Sequence, residues 1–441
     1  MEVKLPKKMR KHLCLPSLLR VVRQGLKKVP DPVSRKATIS LADCLMSGVA
    51  LFGLKYPSLL QFDKHRTEDR VIRHNLKALY GIEQAPCDTY FRERLDKVSP
   101  DKLQKVMNRL LALVQRSKLL ERYRHAGDYY FVPIDGTGYF SSNEVHCDSC
   151  CVKHHRDGTV SYYHQMLSAV LAHPELKTVL PLALEAITKQ DGHCKNDCEH
   201  SAAKRLLRSL RQSHPHLKIV VVLDGLYADG VILKLLKELD LRFIITAKEK
   251  DLKYLFEFYR AAKHLDVDRV EEGKQKRYEW AKNVPLNDTH ADLDVTVMEY
   301  REEGKKGDKK YFCWLTDLEV NEETVEQLVR GGRARWRIEN ETFNTLKNQG
   351  YQFEHNFGHG NDQLSTVLAY LMFIAFLIDQ IQEFACNSFK AVLVKYGGRI
   401  YVWQKMRGLF FHFFIDTWEQ LYDVLLGRGR DVWISELLDS S

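Results

Sequence analysis

The sequence lacks the features of secreted and membrane-spanning proteins. No uninterrupted apolar segment follows the basic residues 1–11, as a secretory signal would require. The longest apolar run, Leu364–Ile378, has 15 residues and includes Ser365 and Thr366, so it is short of a membrane span and typical of a buried helix. Ten cysteines in 441 residues do not suggest a disulfide scaffold. We therefore expect a cytoplasmic protein with no membrane partner.

Repeats, heptads and low-complexity tracts are also missing. The length suits two or three domains, and 44% hydrophobic residues provide ample material for their cores. Lysine and arginine outnumber aspartate and glutamate by 67 to 58, which gives a net charge of +9. This excess is a weak indication of a polyanionic partner, because lysine and arginine neutralise phosphates in nonspecific nucleic-acid binding.

Residues 1–124 are predicted to form a helical, basic domain. Met1–Lys36 carries eleven lysines and arginines against two acidic residues. Helical periodicity then recurs in Leu41–Gly53, Arg70–Tyr80, Asp88–Val98 and Pro100–Glu121. A domain with solvated charged faces and a DNA-binding domain both fit this pattern.

From residue 128 the pattern changes to strands that alternate with helices. The predicted strands are Tyr129–Asp135, Val160–Leu171, Lys177–Ile187, Lys218–Leu223 and Arg242–Ala247. The predicted helices are Asp197–Gln212, Gly230–Leu239 and Lys250–His264. The order β-β-β-α-β-α-β-α is that of an α/β, ribonuclease H-like core, which we predict for residues 125–264 and 331–360. A β-rich insertion at 265–330 and a helical C-terminal region at 361–441 complete the predicted organisation.

Two aspartates lie at strand ends within this pattern. Asp135 ends the first predicted strand, and Asp224 follows the fourth. Either residue alone would more often belong to a turn. Because the first and fourth strands are neighbours in the predicted topology, we expect the two carboxylates to lie close together.

A third acidic residue lies in the predicted helix Arg333–Lys347, which we expect to start after Gly331-Gly332. Projection at about 100° per residue places Glu339 on one face with Trp336, Phe343 and Leu346, whereas Glu341 projects to the polar side. A carboxylate on an apolar face needs a counter-charge. An ion pair with Arg335, one turn back, would supply it, and so would a metal ion.

Three converging carboxylates would favour metal-ion chemistry. Asp135, Asp224 and Glu339 offer hard oxygen ligands of the kind that Mg²⁺ and Mn²⁺ prefer. Two such ions, about 3.5–4 Å apart, activate a nucleophile and stabilise the leaving oxygen in phosphodiester displacement. We predict these residues as metal ligands, with Arg335 and Lys347 binding DNA phosphate.

The run Arg335-Trp336-Arg337-Ile338-Glu339, followed by Lys347, resembles the C-terminal signature of DDE transposases from bacterial cut-and-paste insertion sequences, in the retroviral-integrase superfamily. The spacing from Arg335 to Glu339 matches that family. Two positions depart from it, because Gly332 stands where the family has tyrosine and Lys347 lies one residue later than the family's lysine.

The resemblance implies a transposase that binds transposon ends and target DNA, cuts by Mg²⁺-dependent hydrolysis and joins strands. It also implies a homodimer in the synaptic complex and a nucleoid-associated location. In related enzymes a tryptophan of the insertion stacks on a flipped base, and Trp314 has a similar context; a buried strand aromatic would fit equally well. The alternatives to this function are a non-catalytic DNA-binding protein and a nuclease that cuts without joining.

The cysteines allow a second metal site. Cys147 and Cys150, with Cys151 adjacent, lie in the link between the first two predicted strands, and Cys194 and Cys198, flanked by His193 and His200, lie around the start of the first helix of the core. These two links would meet at one end of the sheet. A structural Zn²⁺ would suit four such ligands, and free thiols in two loops are the alternative.

Overall fold

The computed structural model of the protein describes residues 13–33, 37–192, 195–290, 292–304 and 307–428. Its helices are α1 (Leu15–Leu26), α2 (Leu41–Gly53), α3 (Leu59–Glu68), α4 (Arg70–Tyr80), α5 (Asp88–Asp96), α6 (Pro100–Arg116), α7 (Lys195–Ser213), α8 (Gly230–Glu238), α9 (Lys253–Ala261), α10 (Val325–Arg333), α11 (Asn344–Asn348), α12 (Leu364–Ala385), α13 (Asn387–Tyr396), α14 (Arg399–His412) and α15 (Trp418–Leu426). Its strands are β1 (Arg124–His125), β2 (Tyr129–Ser142), β3 (Cys151–His154), β4 (Val160–Leu171), β5 (Leu180–Ile187), β6 (Ile219–Leu223), β7 (Arg242–Thr246), β8 (Leu265–Glu271), β9 (Lys274–Pro285), β10 (Asp294–Glu303) and β11 (Lys309–Thr316).

The chain divides into two compact units. The helical unit comprises Met1–Leu120, Gly138–Gln165 and Phe343–Ser441, and the sheet unit comprises Glu121–Thr137 and Met166–Thr342. This division differs from the predicted one, in which the N-terminal and C-terminal helical regions were separate. The two regions share one unit because α12 is apolar all round and packs against both α2 and α6.

Helix α12 has the length and composition of a membrane span, but its most apolar segment of 18 residues is entirely buried inside the protein. At its N-terminus, the Asp96 carboxylate accepts hydrogen bonds from four successive backbone N–H groups, 361–364, at 2.9–3.0 Å. Along its length, Asp379 binds the Nζ of the buried Lys55 at 2.7 Å, and Tyr351 donates its hydroxyl to the same carboxylate. The helix thus carries its single buried charge as part of an ion pair.

The sheet unit is built on a mixed α/β sheet. Strand β5 pairs with β4, and the order from β4 onward is β4-β2-β6-β7-β11-β10-β9-β8. Strands β2, β6 and β7 are parallel, whereas β8 to β11 pair with antiparallel neighbours. The predicted insertion is therefore an extension of the same sheet, since β11 pairs directly with β7.

Strand β2 is longer than the sequence predicts. The prediction ends it at Asp135, whereas the strand continues through Gly136-Thr137-Gly138 to Ser142. By contrast, β6 is a run of five buried aliphatic residues and ends directly before Asp224. Such a continuous apolar strand is typical of the centre of a sheet covered on both faces.

Helix α10 packs on this sheet through two glycines. A Cβ on Gly331 would lie 2.0 Å from the Phe131 ring, and one on Gly332 would lie 2.9 Å from Trp314. The predicted helix after these glycines starts later than expected, because both glycines lie inside α10 and the chain becomes helical again only at Trp336. Their role is to let a helix approach buried aromatic rings closely, and this requirement comes from residues far away in sequence.

Candidate active site

The two strand-borne aspartates lie side by side. In the parallel pair β2–β6, Pro133 is level with Val222. Continuing that register by two residues brings Asp135 level with Asp224, and residues level in a parallel pair project to the same face. The extended register therefore puts both residues on one face, at the carboxyl end of β6, and in agreement both carboxylates contribute to the raised pKa of Tyr227.

Glu339 reaches the same place from a π-helical turn, Ile338–Phe343. The guanidinium of Arg335 lies between two carboxylates, with Nη1 at 2.9 Å from Oδ2 of Asp135 and Nη2 at 2.9 Å from Oε1 of Glu339. Glu341 is directed elsewhere, since its Oε1 accepts from Arg337 at 3.0 Å. Of the two glutamates, Glu339 is the one that shares a counter-ion with Asp135.

The helical projection was wrong for one neighbour of Glu339. Trp336, predicted on the apolar face, has half of its surface exposed, and the Arg335 guanidinium lies 5.1 Å from its ring centroid. The π-turn accounts for the difference, because a wider turn breaks the projection of about 100° per residue. Such single π-turns occur frequently at functional sites.

Burial dominates the electrostatics of Asp135. Loss of contact with water raises the pKa of its carboxyl to about 6; the Arg335 guanidinium opposes this rise and the Glu339 carboxylate adds to it. Asp224 is more exposed and lies 3.5 Å from the Nζ of Lys248. Three carboxylate oxygen donors, one of them poorly solvated, fit a divalent cation of the magnesium class.

A fourth carboxylate near the aspartates was missed by the sequence reasoning. Glu199 of α7 accepts a hydrogen bond from the Tyr227 hydroxyl at 2.8 Å, and its Oε1 would lie 3.9 Å from a Cβ on Gly136. The pKa of Tyr227 is raised, first by burial and then by Glu199, Asp135 and Asp224. A signal was available, since Glu199 lies on the buried helical stripe that includes residues 203 and 206.

Two residues that were predicted to contact DNA, Trp314 and Lys347, interact with other side chains of the protein in the structure. Trp314 is only 3% exposed and belongs to the aromatic core of the sheet unit, stacked on Phe312 at 5.4 Å and packed against Gly332. Trp314 is therefore a buried aromatic residue of a core strand, which is the alternative to base stacking that the sequence left open. Lys347 belongs to the helical unit, where its Nζ pairs with Glu354 at 2.7 Å.

The predicted zinc ligands are only partly brought together. Cys147 and Cys150 lie in one cluster of the helical unit, with His164 and His359 rather than with a second cysteine pair. Cys198 lies in the sheet unit, with its thiol near the backbone carbonyls of Lys189 and Gly192. Cys194 lies outside the described residues. Among the described residues, the cluster that holds Cys147 and Cys150 does not include Cys198.

One model of a protein family matches about half of the sequence. Residues 151–378 match the family model described as "Transposase DDE domain". No protein of curated function matches the sequence. Among solved structures, the chain is similar to a cryo-EM structure of a piggyBac transposase synaptic complex with hairpin DNA, at 10% identity and a TM-score of 0.42, covering 96% of this chain and 83% of that one.

Proposed function

The chain belongs to the transposase DDE domain family, and from this premise we propose that it moves a DNA element by Mg²⁺- or Mn²⁺-dependent phosphodiester chemistry. It would bind the ends of an insertion sequence of the bacterial cut-and-paste type, hydrolyse the strands there and transfer the freed 3′-hydroxyl into target DNA. The observation that carries this proposal is the grouping of Asp135 on β2, Asp224 directly after the neighbouring parallel strand β6, and Glu339 on the π-turn, where it shares Arg335 with Asp135.

The three carboxylates would hold two metal ions. When bound, the ions activate the attacking oxygen and stabilise the leaving oxygen in an in-line displacement. The protein's own contribution is to keep three carboxylates close together in a partly buried place. This arrangement destabilises the charged form of Asp135, whose pKa is raised. Arg335 offsets two of these charges through its two ion pairs.

Arg335 would contact DNA phosphate once the carboxylates have metal counter-ions. Its guanidinium offers more donors than two carboxylates occupy, and the fork geometry suits phosphate oxygens. Lys248, 3.5 Å from Asp224, is a second cation at the site. Both residues would position the scissile strand rather than carry out the reaction.

The strand arrangement supports a ribonuclease H-like core. The predicted motif has five strands, which are β2, β4, β5, β6 and β7 in chain order. Across the sheet they lie in the order β5-β4-β2-β6-β7, and β6 and β7 are parallel to β2. This order puts the first and fourth strands side by side, as two catalytic aspartates require. The β8–β11 extension occupies the position of the predicted insertion, between Asp224 and Glu339.

The partners would be double-stranded transposon-end and target DNA, bound by two copies of the chain in a synaptic complex. The net charge of +9 supports a polyanionic partner. The N-terminal helices would contribute to end binding, and the enzyme would act in the bacterial nucleoid.

A cleavage and strand-transfer assay tests the proposal. The substrate is a labelled duplex that carries the DNA flanking the gene, with Mg²⁺ and a supercoiled target plasmid. The wild-type protein should nick the junctions and join the labelled strand to the plasmid, whereas Asp224→Ala should do neither. Asp251→Ala, which removes an exposed carboxylate of the same unit, serves as the matched control. Full activity of Asp224→Ala would contradict the assignment, and cleavage without joining would make the protein a nuclease.

A further inference from the structure

The helical unit contains a compact cluster of two cysteines and two histidines that the transposition chemistry does not use. Cys147 and Cys150 come from the segment after β2, His164 from β4, and His359 from the segment before α12. Cys150, His164 and His359 are each less than a tenth exposed. The geometry points to a structural Zn²⁺ site held by Cys147, Cys150, His164 and His359.

Five of the six distances between the four donor atoms are close to the edges of a tetrahedral zinc site, and all four atoms lie within 4.8 Å of one another. With Zn–S bonds of about 2.3 Å and Zn–N bonds of about 2.0–2.1 Å, the edges of the tetrahedron measure about 3.8 Å for S···S, 3.6 Å for S···N and 3.3 Å for N···N. The two sulfurs lie 3.9 Å apart. Nε2 of His164 lies 3.6 and 3.3 Å from the Sγ atoms of Cys147 and Cys150. Nε2 of His359 lies 3.3 Å from Sγ of Cys150 and 3.1 Å from Nε2 of His164.

The orientation of the imidazoles also suits a metal. His359 donates from Nδ1 to the carbonyl oxygen of Gly360 at 2.7 Å, which leaves the lone pair of its Nε2 directed at the cluster. The Phe140 ring lies 4.5 Å from this imidazole, and Tyr139 stacks on His164 at 5.9 Å. Rings fixed in this way present their nitrogens without further rearrangement.

The donor set selects zinc among the common metals. Two thiolates and two imidazoles in a tetrahedron suit Zn²⁺, whereas Mg²⁺ and Ca²⁺ prefer oxygen ligands. Four protein ligands leave no open position, as expected of a structural site rather than a catalytic one. A disulfide is the competing use of Cys147 and Cys150, but their sulfurs are far beyond the bonding distance of about 2.05 Å.

The site would tie together segments that are distant in sequence. His164 and His359 are 195 residues apart, so a metal bound to both closes a long loop and restricts the unfolded chain. The residues next to His359 already begin the hydrogen-bonded cap of α12 at Asp96. Zinc would therefore fix the segment that leads into the buried helix α12.

Metal analysis of the full-length protein, purified without chelator, tests the site. We expect about one zinc per chain by mass spectrometry, and a chelator-treated sample refilled with Co²⁺ should show thiolate-to-metal charge transfer and the d–d bands of a tetrahedral ion. Cys150→Ser and His359→Ala should each lower the zinc content severalfold, whereas Cys198→Ser should retain it. Because misfolding of a variant would also lower its zinc content, the Co²⁺ spectrum of the wild-type chain is the second, independent measurement.

Three outcomes would overturn the proposal. The first is a metal-free wild-type protein whose Co²⁺ spectrum lacks thiolate bands. The second is a Cys147–Cys150 disulfide in protein purified under reducing conditions. The third is zinc that persists in both Cys150→Ser and His359→Ala. None of these readouts depends on DNA cleavage, so the zinc site can fail while the proposed transposase function stands, and the reverse also holds.

Discussion

Replacing Asp135 by asparagine should stabilise the protein while removing its activity. The carboxyl is buried enough for its pKa to rise to about 6, which corresponds to a penalty of about 3 kcal/mol on the charged form. The side chain retains 26% exposure, so we discount this to about 1–2 kcal/mol for contact with water. Asparagine keeps nearly the same shape and avoids the penalty at every pH.

The sign of the pH dependence follows from the two pKa values. An unfolded aspartate loses its proton near pH 4, whereas the folded Asp135 keeps it until about pH 6. Between these values the folded state binds more protons, so the wild-type stability falls as the pH rises. The advantage of Asp135→Asn should therefore be largest at pH 8 and about half as large at pH 5.

Urea unfolding of both proteins at pH 5 and pH 8, without added Mg²⁺, measures this difference. Glu341→Gln is the matched control, because that glutamate has its own arginine partner at 3.0 Å and should show no gain. If Asp135→Asn is no more stable than the wild type at pH 8, or if its gain grows towards pH 5, the reasoning about a desolvated carboxylate is refuted.

Three further substitutions, one of them with a matched control, test other parts of the account. Lys55→Met should lower the free energy of unfolding by about 3–5 kcal/mol, because it leaves a buried carboxylate of α12 without its cation; urea unfolding measures this. Gly331→Ala should cost at least about 1–3 kcal/mol, because the new methyl group meets the Phe131 ring. Gly408→Ala, whose methyl would meet nothing within 4 Å, should be neutral or stabilising in the same thermal denaturation series. Glu199→Gln should raise the Mn²⁺ concentration needed for half-maximal cleavage about tenfold, as loss of an outer-shell carboxylate does; an unchanged Mn²⁺ titration would contradict a role at the site.

Local signals in the sequence were sufficient for many elements. Helices α2 and α4 begin and end at the predicted residues, because Ser40 and Asp69 cap their N-termini and Gly81 ends α4 in the left-handed conformation. The buried strand β6 was equally clear from its continuous aliphatic run. Asp135 and Asp224 are separated in sequence by the same number of residues as the paired residues of β2 and β6, such as Pro133 and Val222.

Features that depend on distant residues could not be predicted in this way. The pairing of Gly331 with Phe131 and of Gly332 with Trp314 is a matter of packing, so the sequence alone does not indicate that these glycines lie inside a helix. The π-turn around Glu339 has no simple sequence signature. The histidine partners of the cysteine cluster come from β4 and from the segment before α12, and only the folded chain brings them together.

The most direct test of the account compares two glutamates that lie two residues apart. Glu339 and Glu341 each form an ion pair with the arginine four residues earlier, at 2.9 and 3.0 Å. Only Glu339 shares its arginine with Asp135. In the cleavage assay with Mg²⁺, Glu339→Gln should lose at least roughly a thousandfold in rate, whereas Glu341→Gln should remain within about threefold of the wild type, as a change away from the reacting groups does. The reverse order, or equal losses in both variants, would contradict the assignment of the third carboxylate.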